Sequence, residues 1–375
     1  MLFLLLFELS ILFGFLLDLL FADPEKLLHP VVVIGRGISL LEKNLRRIFP
    51  DTSSGKRTAG AVMAALIPVT TFVVTACLCI LAWIIHPLLF FLLHTLWCWQ
   101  AVAIRGLAKE AKNVYRHLAM RSPAGSSEGD LNSSGECKTA GSGASDPDWI
   151  IAARKAVSRI VGRDTQALDE AGVIRAAVET VAENYSDGVI APYFYMMIGG
   201  APLALTYKSI NTMDSMVGYK NETYIDFGRV PAHLDDVAGY IPARLGALLW
   251  ILSAVAIVSS VRRRFAELGE KRAICGVRGA WRIWRRDNRN HASPNSAQTE
   301  SACAGALGVQ LAGPAFYFGE FYDKPTIGDA LRPIEPEDIL RTNRMLYAAS
   351  LMTVLLSMVV SSGLILYVAT NIGLL

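Results

Sequence analysis

The sequence predicts an all-α, polytopic integral membrane protein with about four to six apolar helices, together with cytoplasmic amphipathic helices and loops. Of its 375 residues, 53% are hydrophobic, and the mean hydropathy is positive. The apolar residues come in long unbroken runs, as membrane-spanning helices of ~20 residues require, rather than in the alternating pattern of half-buried strands. Basic residues are concentrated between those runs, as is typical of cytoplasmic loops.

The membrane helices are predicted from the apolar runs, taken in order. The clear runs are 1–22, 59–85, 88–104, 237–260 and 345–373. The first has neither a basic start nor a small-residue cleavage site, so we expect a retained span rather than a signal peptide. His86-Pro87 divides the next stretch into a helical hairpin, because proline disfavours helical geometry before it. A weaker run, 189–207, contains two prolines and Gly199-Gly200, and is either a kinked span or a re-entrant segment.

Lysine and arginine predict the orientation of these helices. Of 36 such residues, 32 lie in the segments 23–58, 105–188 and 261–344. The positive-inside rule therefore predicts a multi-pass protein of the cell membrane with its basic loops in the cytoplasm. An even number of crossings must then separate the second and third segments, so 189–207 and 237–260 either both cross or neither crosses fully. The second arrangement keeps the acidic stretch between them at the cytoplasmic face.

Four regions follow from these patterns. We expect N-terminal membrane helices with a hairpin in 1–121, a flexible Gly/Ser-rich insert in 122–148, a region of acidic motifs in 149–344 and a C-terminal membrane helix in 345–375. Within the third region, WIIAARKAVSRIVG and RGAWRIWRR are basic and carry tryptophan, which suits the surface of a membrane. The net charge of only +3 gives no support to nucleic-acid binding, and six scattered cysteines indicate no disulfide framework.

Acidic residues are concentrated between Glu179 and Asp236. This stretch of 58 residues carries eight acidic side chains and three asparagines. Carboxylates near a membrane are costly unless they are paired, bound to a metal or used in chemistry. The concentration indicates a site for a cation, and Mg²⁺ bound together with a phosphate-bearing substrate fits this pattern.

The first acidic motif is AAVETVAENYSDG, residues 176–188. Glu179, Glu183 and Asp187 are spaced i, i+4, i+8 and share one face of a helix that reaches so far. Three carboxylates on one face repel one another, and a cation would relieve that repulsion. The alternative is a solvated helix face paired with arginines such as Arg163.

The second acidic motif is NTMDSMVGYKNETYIDFG, residues 211–228. It is rich in turn formers and lacks a helical apolar stripe, so it predicts a functional polar loop. Asp214 and Asn221 are oxygen donors suited to hard cations, and Lys220 is a candidate partner for a phosphate or carboxylate.

The third acidic motif is HLDDVAGYIPAR, residues 233–244. Its adjacent Asp235 and Asp236 can bind Mg²⁺ or cap a helix. Arg244, at the start of an apolar run, either reaches the interface or binds an anion.

Two weaker motifs add candidates. In RDNRNHASPNSAQTE (286–300), His291 and Asn295 could line a site, with Arg289 as an anion contact. In DPEKLLHPVVVIGR, Arg36 is a possible site residue. A Walker-type phosphate loop is missing, since DTSSGKRT lacks the upstream glycine and the hydroxyl residue after lysine.

These motifs, in this order, resemble the adenosylcobinamide-phosphate synthase family of cobalamin biosynthesis, and the resemblance runs nearly end to end except for the insert. It implies an integral membrane ligase that joins a propionate of adenosylcobyric acid to (R)-1-amino-2-propanol or its O-phosphate. ATP and Mg²⁺ are the implied cofactors, and the corrinoid is a substrate rather than a prosthetic group. Asn290 departs from the pattern, because a lysine is expected before the histidine, and Arg289 is the nearest substitute.

The resemblance also implies roles for the acidic and polar residues. The expected catalytic residues are Glu183, Asp187, Asp214 and His291, where His291 or an aspartate is the base that keeps the amine unprotonated. The expected metal ligands are Glu179, Glu183, Asp187, Asp214, Asp235 and Asp236. The expected substrate contacts are Arg36, Asn184, Asn211, Lys220, Asn221, Tyr224, Arg244, Arg289 and Asn295.

The expected partners are the small-molecule substrates, the lipid bilayer and other membrane enzymes of cobalamin assembly, but no nucleic acid. Two other classes of function compete with the ligase. A membrane transporter should carry its ionisable residues at mid-membrane within the spans. A non-catalytic membrane scaffold for corrinoid metabolism should not depend on the acidic motifs at all.

Overall fold

The computed structural model describes residues 2–21, 27–120, 146–270, 274–317 and 319–371. The predicted insert 122–148 lies almost entirely outside these residues. The α-helices are α1 (Leu2–Phe21), α2 (Pro30–Ile48), α3 (Ser53–Ile85), α4 (Pro87–Ala101), α5 (Ile104–Ala119), α6 (Asp148–Val157), α7 (Glu170–Tyr185), α8 (Ala191–Val217), α9 (Arg229–Ser253), α10 (Val258–Glu267), α11 (Gly276–Asp287), α12 (Ser296–Leu307) and α13 (Glu337–Asn371). Strands are short and few among the described residues.

Four short strands form two antiparallel pairs. β1 (Leu311–Ala312) pairs with β4 (Thr326–Ile327), and β2 (Ala315–Tyr317) pairs with β3 (Glu320–Tyr322). They belong to the connection between α12 and α13, and β1 also contacts α7. The strands do not build a layer of their own. Instead, the contact of β1 with α7 holds the loop between α12 and α13 against α7.

Six helical stretches among the described residues are long and apolar enough to cross a membrane. They are Leu2–Phe21, Ser53–Ile85, Pro87–Ala119, Glu170–Val217, Arg229–Glu267 and Glu337–Leu364. The prediction of an all-α polytopic membrane protein is confirmed. Both disputed segments, 189–207 and 237–260, lie within such stretches.

The N-terminal helices form a compact group around the hairpin. His86 ends α3, and its Nδ1 accepts a hydrogen bond of 3.1 Å from the backbone N–H of Leu88, the second residue of α4. α1 packs closely on α4, because a Cβ at Gly14 would lie 2.7 Å from the Cβ of Cys98. The break predicted at His86-Pro87 is therefore where the hairpin turns.

α8 is a broken helix. Gly199 and Gly200 have non-helical dihedral angles, and Gly200 has a φ of 64°, which favours glycine. The buried His94 fills the break, and its Nε2 accepts a hydrogen bond of 3.0 Å from the backbone N–H of Ala201. The side chain of Ser10 lies 2.6 Å from the other ring nitrogen of His94. The Gly-Gly pair thus marks a real kink that three helices hold in place.

The acidic motifs lie on consecutive helical elements. α7 starts at the N-cap Asp169, whose Oδ1 accepts a hydrogen bond of 2.7 Å from Gly172 N–H, and it leads into a π-helix at Ser186–Ile190. Single-turn π-helices of this kind are frequent at functional sites. The prediction that 211–228 is all loop is wrong. α8 continues to Val217, because Met213 and Val217 are buried against other helices, and only the following residues form turns.

Candidate active site

A polar cleft opens between α7, α12 and the loops that flank them. Its volume is about 230 Å³. It is lined by Ile160, Val161, Gly162, Arg163, Glu179, Thr180, Glu183, Asn184, His291, Glu300, Ala312, Gly313, Ala315 and Lys324. Four of the residues expected in a site from sequence, Glu179, Glu183, Asn184 and His291, meet here.

Glu179 is held by two partners inside the protein. One carboxylate oxygen accepts a hydrogen bond of 2.5 Å from the backbone N–H of Ala312 in β1, and the other pairs with the guanidinium of Arg163. These two contacts hold β1 and the segment before α7 against the wall of the cleft. The expected role of Glu179 as a metal ligand is not supported by this geometry, because both of its oxygens already have partners.

Glu183 lies one helical turn further along α7. Its Oε1 accepts a hydrogen bond of 2.8 Å from the hydroxyl of Ser296, the first residue of α12. The neighbouring Asn184 donates to the backbone carbonyl of Thr180 at 3.0 Å and remains half-buried at the cleft wall. α12 therefore orients one oxygen of Glu183, while the carboxylate as a whole lines the cleft.

Glu300 lies four residues after Ser296 and lines the same cleft. Its side chain is 3% exposed, and its Oε2 has no hydrogen-bond partner. Burial, together with the charges of Glu183 and Glu179, raises the pKa of the Glu300 carboxyl well above its ordinary value. A buried carboxylate without a partner is costly for stability, so this residue is a strong candidate for function.

His291 lies in the turns that precede α12. Its Nδ1 accepts a hydrogen bond of 3.1 Å from the backbone N–H of Ser293, so the proton of the neutral ring is assigned to Nε2. Burial lowers the pKa of His291 below its ordinary value, although the charge of Glu183 opposes that shift. The ring is neutral near pH 7 and offers the cleft an N–H donor.

A second acidic group lies on the π-helix, α8 and α9. Asn211 donates towards two carboxylates, at 3.5 Å from Asp187 Oδ2 and 3.4 Å from Asp235 Oδ1. The charges of Lys208 and Asp214 also act on Asp187. The structure thus brings Asp187, Asn211 and Asp235 together, with Asp214 close by. We call Asp187, Asn211, Asp214 and Asp235 the acidic cluster.

Asn295 and Asp236 connect the acidic cluster to the cleft. Asn295 Nδ2 donates to the backbone carbonyl of Asp236 at 3.0 Å, and its Oδ1 accepts from Arg244 at 2.8 Å. The hydroxyl of Ser293 lies 3.5 Å from the Asp236 carboxylate. The guanidinium of Arg244 also stacks on the ring of Tyr240, 3.5 Å from its centroid. The loop that carries His291 is therefore tied to α9.

The remaining predicted substrate contacts are not gathered into the cleft. Arg36, Arg289 and Lys220 are exposed, although the charges of Arg289 and Lys220 act on Arg244 and Asp236. Asn221 Oδ1 accepts a hydrogen bond of 3.1 Å from Tyr224 N–H, which shapes the turn after α8. Tyr224 in turn lies under the guanidinium of Arg46, 5.3 Å from its ring centroid. These turns form a separate polar surface beside α2.

No three His, Cys, Asp or Glu side chains among the described residues are placed to hold a metal ion by themselves. The six predicted ligands therefore do not form one ligand set. Mg²⁺ commonly uses only one or two carboxylates and completes its shell with water and substrate phosphate. Asp187 and Asp235, towards which the side-chain amide of Asn211 donates, are suited to a Mg²⁺ site with two protein carboxylates.

Sequence reasoning missed four polar residues of the site. The sequence motifs do not indicate Glu300, Ser296 or Lys324 as site residues, and they indicate Arg163 only as a pairing partner for a solvated face. Ser296 and Glu300 are spaced i, i+4 on α12, a spacing that places both on one helix face. That pattern could have indicated them, whereas Lys324 is brought in by a strand pairing with no signal in the local sequence.

The fold and the cleft together define this protein as a polytopic membrane protein with a polar site. That site contains carboxylates, a histidine and two basic side chains, those of Arg163 and Lys324. Comparison with known proteins narrows this class. A model of the CobD/Cbib protein family matches residues 11–128 and 137–346, and the chain belongs to this family.

Named relatives place the family in cobalamin biosynthesis. Cobalamin biosynthesis protein CobD of Geobacter metallireducens is 45% identical over 350 residues, which cover 92% of this chain and 94% of the relative. Cobalamin biosynthesis protein CobD of Clostridium perfringens is 40% identical, with 94% and 97% covered. Cobalamin biosynthesis protein CbiB of Salmonella typhi is also 40% identical, with 94% and 96% covered. These names support a biosynthetic enzyme role in that pathway. No solved structure matches the chain.

Proposed function

We propose that this protein is an ATP-dependent amide ligase of cobalamin biosynthesis. It joins the free propionate of adenosylcobyric acid to (R)-1-amino-2-propanol or its O-phosphate. The observation that carries the proposal is the cleft itself, where Glu183, Glu300 and His291 meet the cations Arg163 and Lys324 beside the acidic cluster. Such a site can hold an ammonium group and an anion at the same time.

The reaction needs an activated carboxylate, because a carboxylate ion is a poor acyl donor. In the simplest sequence, the propionate oxygen attacks the γ-phosphorus of ATP and ADP leaves, which gives an acyl phosphate. The amine nitrogen then attacks the acyl carbon, the C–N bond forms, and inorganic phosphate leaves. The proton released from the ammonium passes to a base. Positioning and charge stabilisation by the protein account for most of such a catalytic effect.

Asp187 and Asp235 are the residues that would hold Mg²⁺ with the nucleotide phosphates. Their carboxylates share the side-chain amide donor of Asn211, at 3.5 and 3.4 Å, so the two acidic groups lie close together. Mg²⁺ would neutralise phosphate charge there. Asp214 and Lys208 lie close enough to act electrostatically on this pair, and Lys208 offsets part of its negative charge.

The cleft residues take the remaining roles. Glu183, fixed through one oxygen by Ser296, is placed to accept the proton of the ammonium. His291 is assigned as an N–H donor through Nε2 rather than as the base, because its Nδ1 already accepts from Ser293. A donor at that point stabilises the oxyanion that forms when the amine adds to the acyl carbon. Lys324 supplies positive charge to the same cleft.

A product assay on detergent-purified protein tests this proposal. Adenosylcobyric acid, ATP and Mg²⁺ are supplied with either aminopropanol or its phosphate, and mass spectrometry detects the amide. We expect product with at least one amine, together with one ADP released per amide. Folded protein that binds adenosylcobyric acid but forms no amide with either amine would contradict the ligase and favour a transporter or scaffold.

A further inference from the structure

The cleft contains a buried carboxyl group, that of Glu300, with one oxygen that has no hydrogen-bond partner among the described residues. Glu179 is paired with Arg163, and Glu183 uses one oxygen to accept from Ser296. The Oε2 of Glu300, by contrast, has no hydrogen-bond partner, although the side chain is 3% exposed. A carboxylate kept in this state is expected to meet a donor that arrives with a ligand.

The size of the cleft limits what that ligand can be. The volume of the cleft is about 230 Å³. A small amino alcohol or its phosphate fits this space, whereas a corrin ring with its side chains does not. The large substrate must therefore present only its reacting carboxylate at the mouth of the cleft.

The charges of the cleft select the chemistry of the small ligand. Glu183 on α7 and Glu300 on α12 line the cleft, and Arg163 and Lys324 line it from loops. An ammonium group has three N–H donors for the carboxylates. The carboxylates of Glu183 and Glu300 can both accept from one such group.

We propose that Glu300, together with Glu183, forms the ammonium-binding subsite of the amine substrate. This inference rests on the proposed ligase and adds the position of the amine within it. Glu300 makes the subsite selective for an amine over a neutral ligand, because its unpartnered oxygen gains a charged donor when an ammonium group binds. Glu183 binds the same nitrogen and takes its proton, so the amine becomes nucleophilic only in place.

Steady-state kinetics of Glu300→Gln tests the subsite. Glutamine keeps the size of the side chain and cannot take a negative charge. We expect the KM for the amine to rise about tenfold or more, since a charge-assisted hydrogen bond is lost, while the KM for adenosylcobyric acid changes less than about twofold. The matched control is Asp235→Asn in the acidic cluster, for which we expect a raised KM for ATP and an unchanged KM for the amine.

Binding in the absence of the other substrates gives an independent readout. Wild-type protein in detergent is titrated calorimetrically with aminopropanol, and propane-1,2-diol serves as its neutral analogue. We expect aminopropanol to bind and the diol to bind at least about tenfold more weakly, and Glu300→Gln to abolish this preference.

The outcomes separate the two proposals. Wild-type protein that makes no amide contradicts the ligase, whatever the binding data show. Wild-type protein that makes amide, with an amine KM unchanged in folded Glu300→Gln, contradicts the subsite alone. Equal binding of amine and diol to the wild type contradicts the subsite even if the variant does not fold. Competition of Mg²⁺ alone with the amine would assign the cleft to the metal instead and also overturn the subsite.

Discussion

The hydroxyl of Ser296 donates a hydrogen bond of 2.8 Å to Oε1 of Glu183, across 113 positions of the chain. This bond joins the first turn of α12 to the middle of the cleft wall formed by α7. It fixes the rotamer of Glu183, so the second carboxylate oxygen has a defined direction relative to His291 and Glu300. The bond therefore links the packing of the buried helix α12 to the chemistry of the cleft.

Replacement of Glu183 and of Ser296 should lower turnover to different extents. Glu183→Gln removes the proposed base, and we expect kcat to fall at least about 100-fold. Ser296→Ala leaves the carboxylate but frees its rotamer, so we expect a fall of about three- to tenfold. Initial rates of amide formation at saturating substrates measure both effects.

Ser158→Ala is a suitable control for this pair of variants. Ser158 is exposed, and its hydroxyl donates to the nearby carbonyl of Lys155. We expect unchanged turnover in this variant. Folded Glu183→Gln protein with wild-type turnover would exclude Glu183 as the base.

Glu300→Gln should increase the stability of the protein at neutral and alkaline pH. The pKa of Glu300 is raised in the folded state by burial and by Glu183 and Glu179. The folded state therefore binds this proton more strongly than the unfolded state, and the contribution to stability is lost as the pH rises through the folded pKa. Glutamine cannot ionise, so the loss should disappear.

Thermal unfolding in detergent from pH 5 to pH 8.5 measures this effect. We expect the melting temperature of the wild type to fall relative to that of Glu300→Gln as the pH rises, and the two to converge towards pH 5. A difference that stays constant over this range would show that Glu300 does not titrate there. Glu267→Gln, at an exposed position on α10, controls for a general effect of removing one charge.

The sequence was sufficient for the membrane helices because their signal is local. Runs of apolar residues and the His86-Pro87 interruption lie within single segments, and the hairpin and six candidate spans appear where those patterns indicate them. The extent of α8 was missed, because residues 211–217 are polar on one side and carry no apolar stripe that is visible in isolation. Their helix is stabilised by burial of Met213 and Val217 against α2 and α3.

The residues of the cleft were only partly predictable, because some are related by local spacing and others only by tertiary packing. Glu179 and Glu183 were indicated by their spacing on one helix, which is again a local property. Glu300 and Lys324 reach the cleft through packing between segments distant in sequence. Whether a carboxylate is paired or left open is a tertiary property, so the sequence could not separate Glu179, which is bonded to Arg163, from Glu300, which has an open oxygen.

Gly200→Ala should destabilise the kink in α8. The φ of 64° is unfavourable for alanine, and the added Cβ would lie 2.7 Å from the ring of Phe7 and closer still to His94. The substitution would also disturb the hydrogen bond from Ala201 N–H to His94. We expect a loss of about 2 kcal/mol or more, from combined strain and overpacking.

Gly106→Ala is the matched control for Gly200→Ala. Gly106 lies inside α5, and nothing comes within 4 Å of an added Cβ there. We expect this variant to be as stable as the wild type or slightly more stable, because alanine is the better helix former. Thermal unfolding in the same detergent compares the two, and equal stability of both variants would contradict a strained kink.

The loop that precedes α13 is held by a buried ion-pair network, and its loss should be costly. Arg332 and Asp338 are both fully buried and are joined at 2.5 and 2.8 Å, while Arg341 also donates to Asp338 at 2.8 Å. Asp338→Asn would remove the buried carboxylate that both guanidinium groups share and leave them with Glu335 alone, so we expect a loss of about 3 kcal/mol. Glu110→Gln breaks the more exposed pair of Glu110 with Arg159 and should change stability by no more than about 1 kcal/mol. Denaturation in mixed micelles measures both variants. A loss for Asp338→Asn as small as that for Glu110→Gln would mean that water reaches the network and screens its charges.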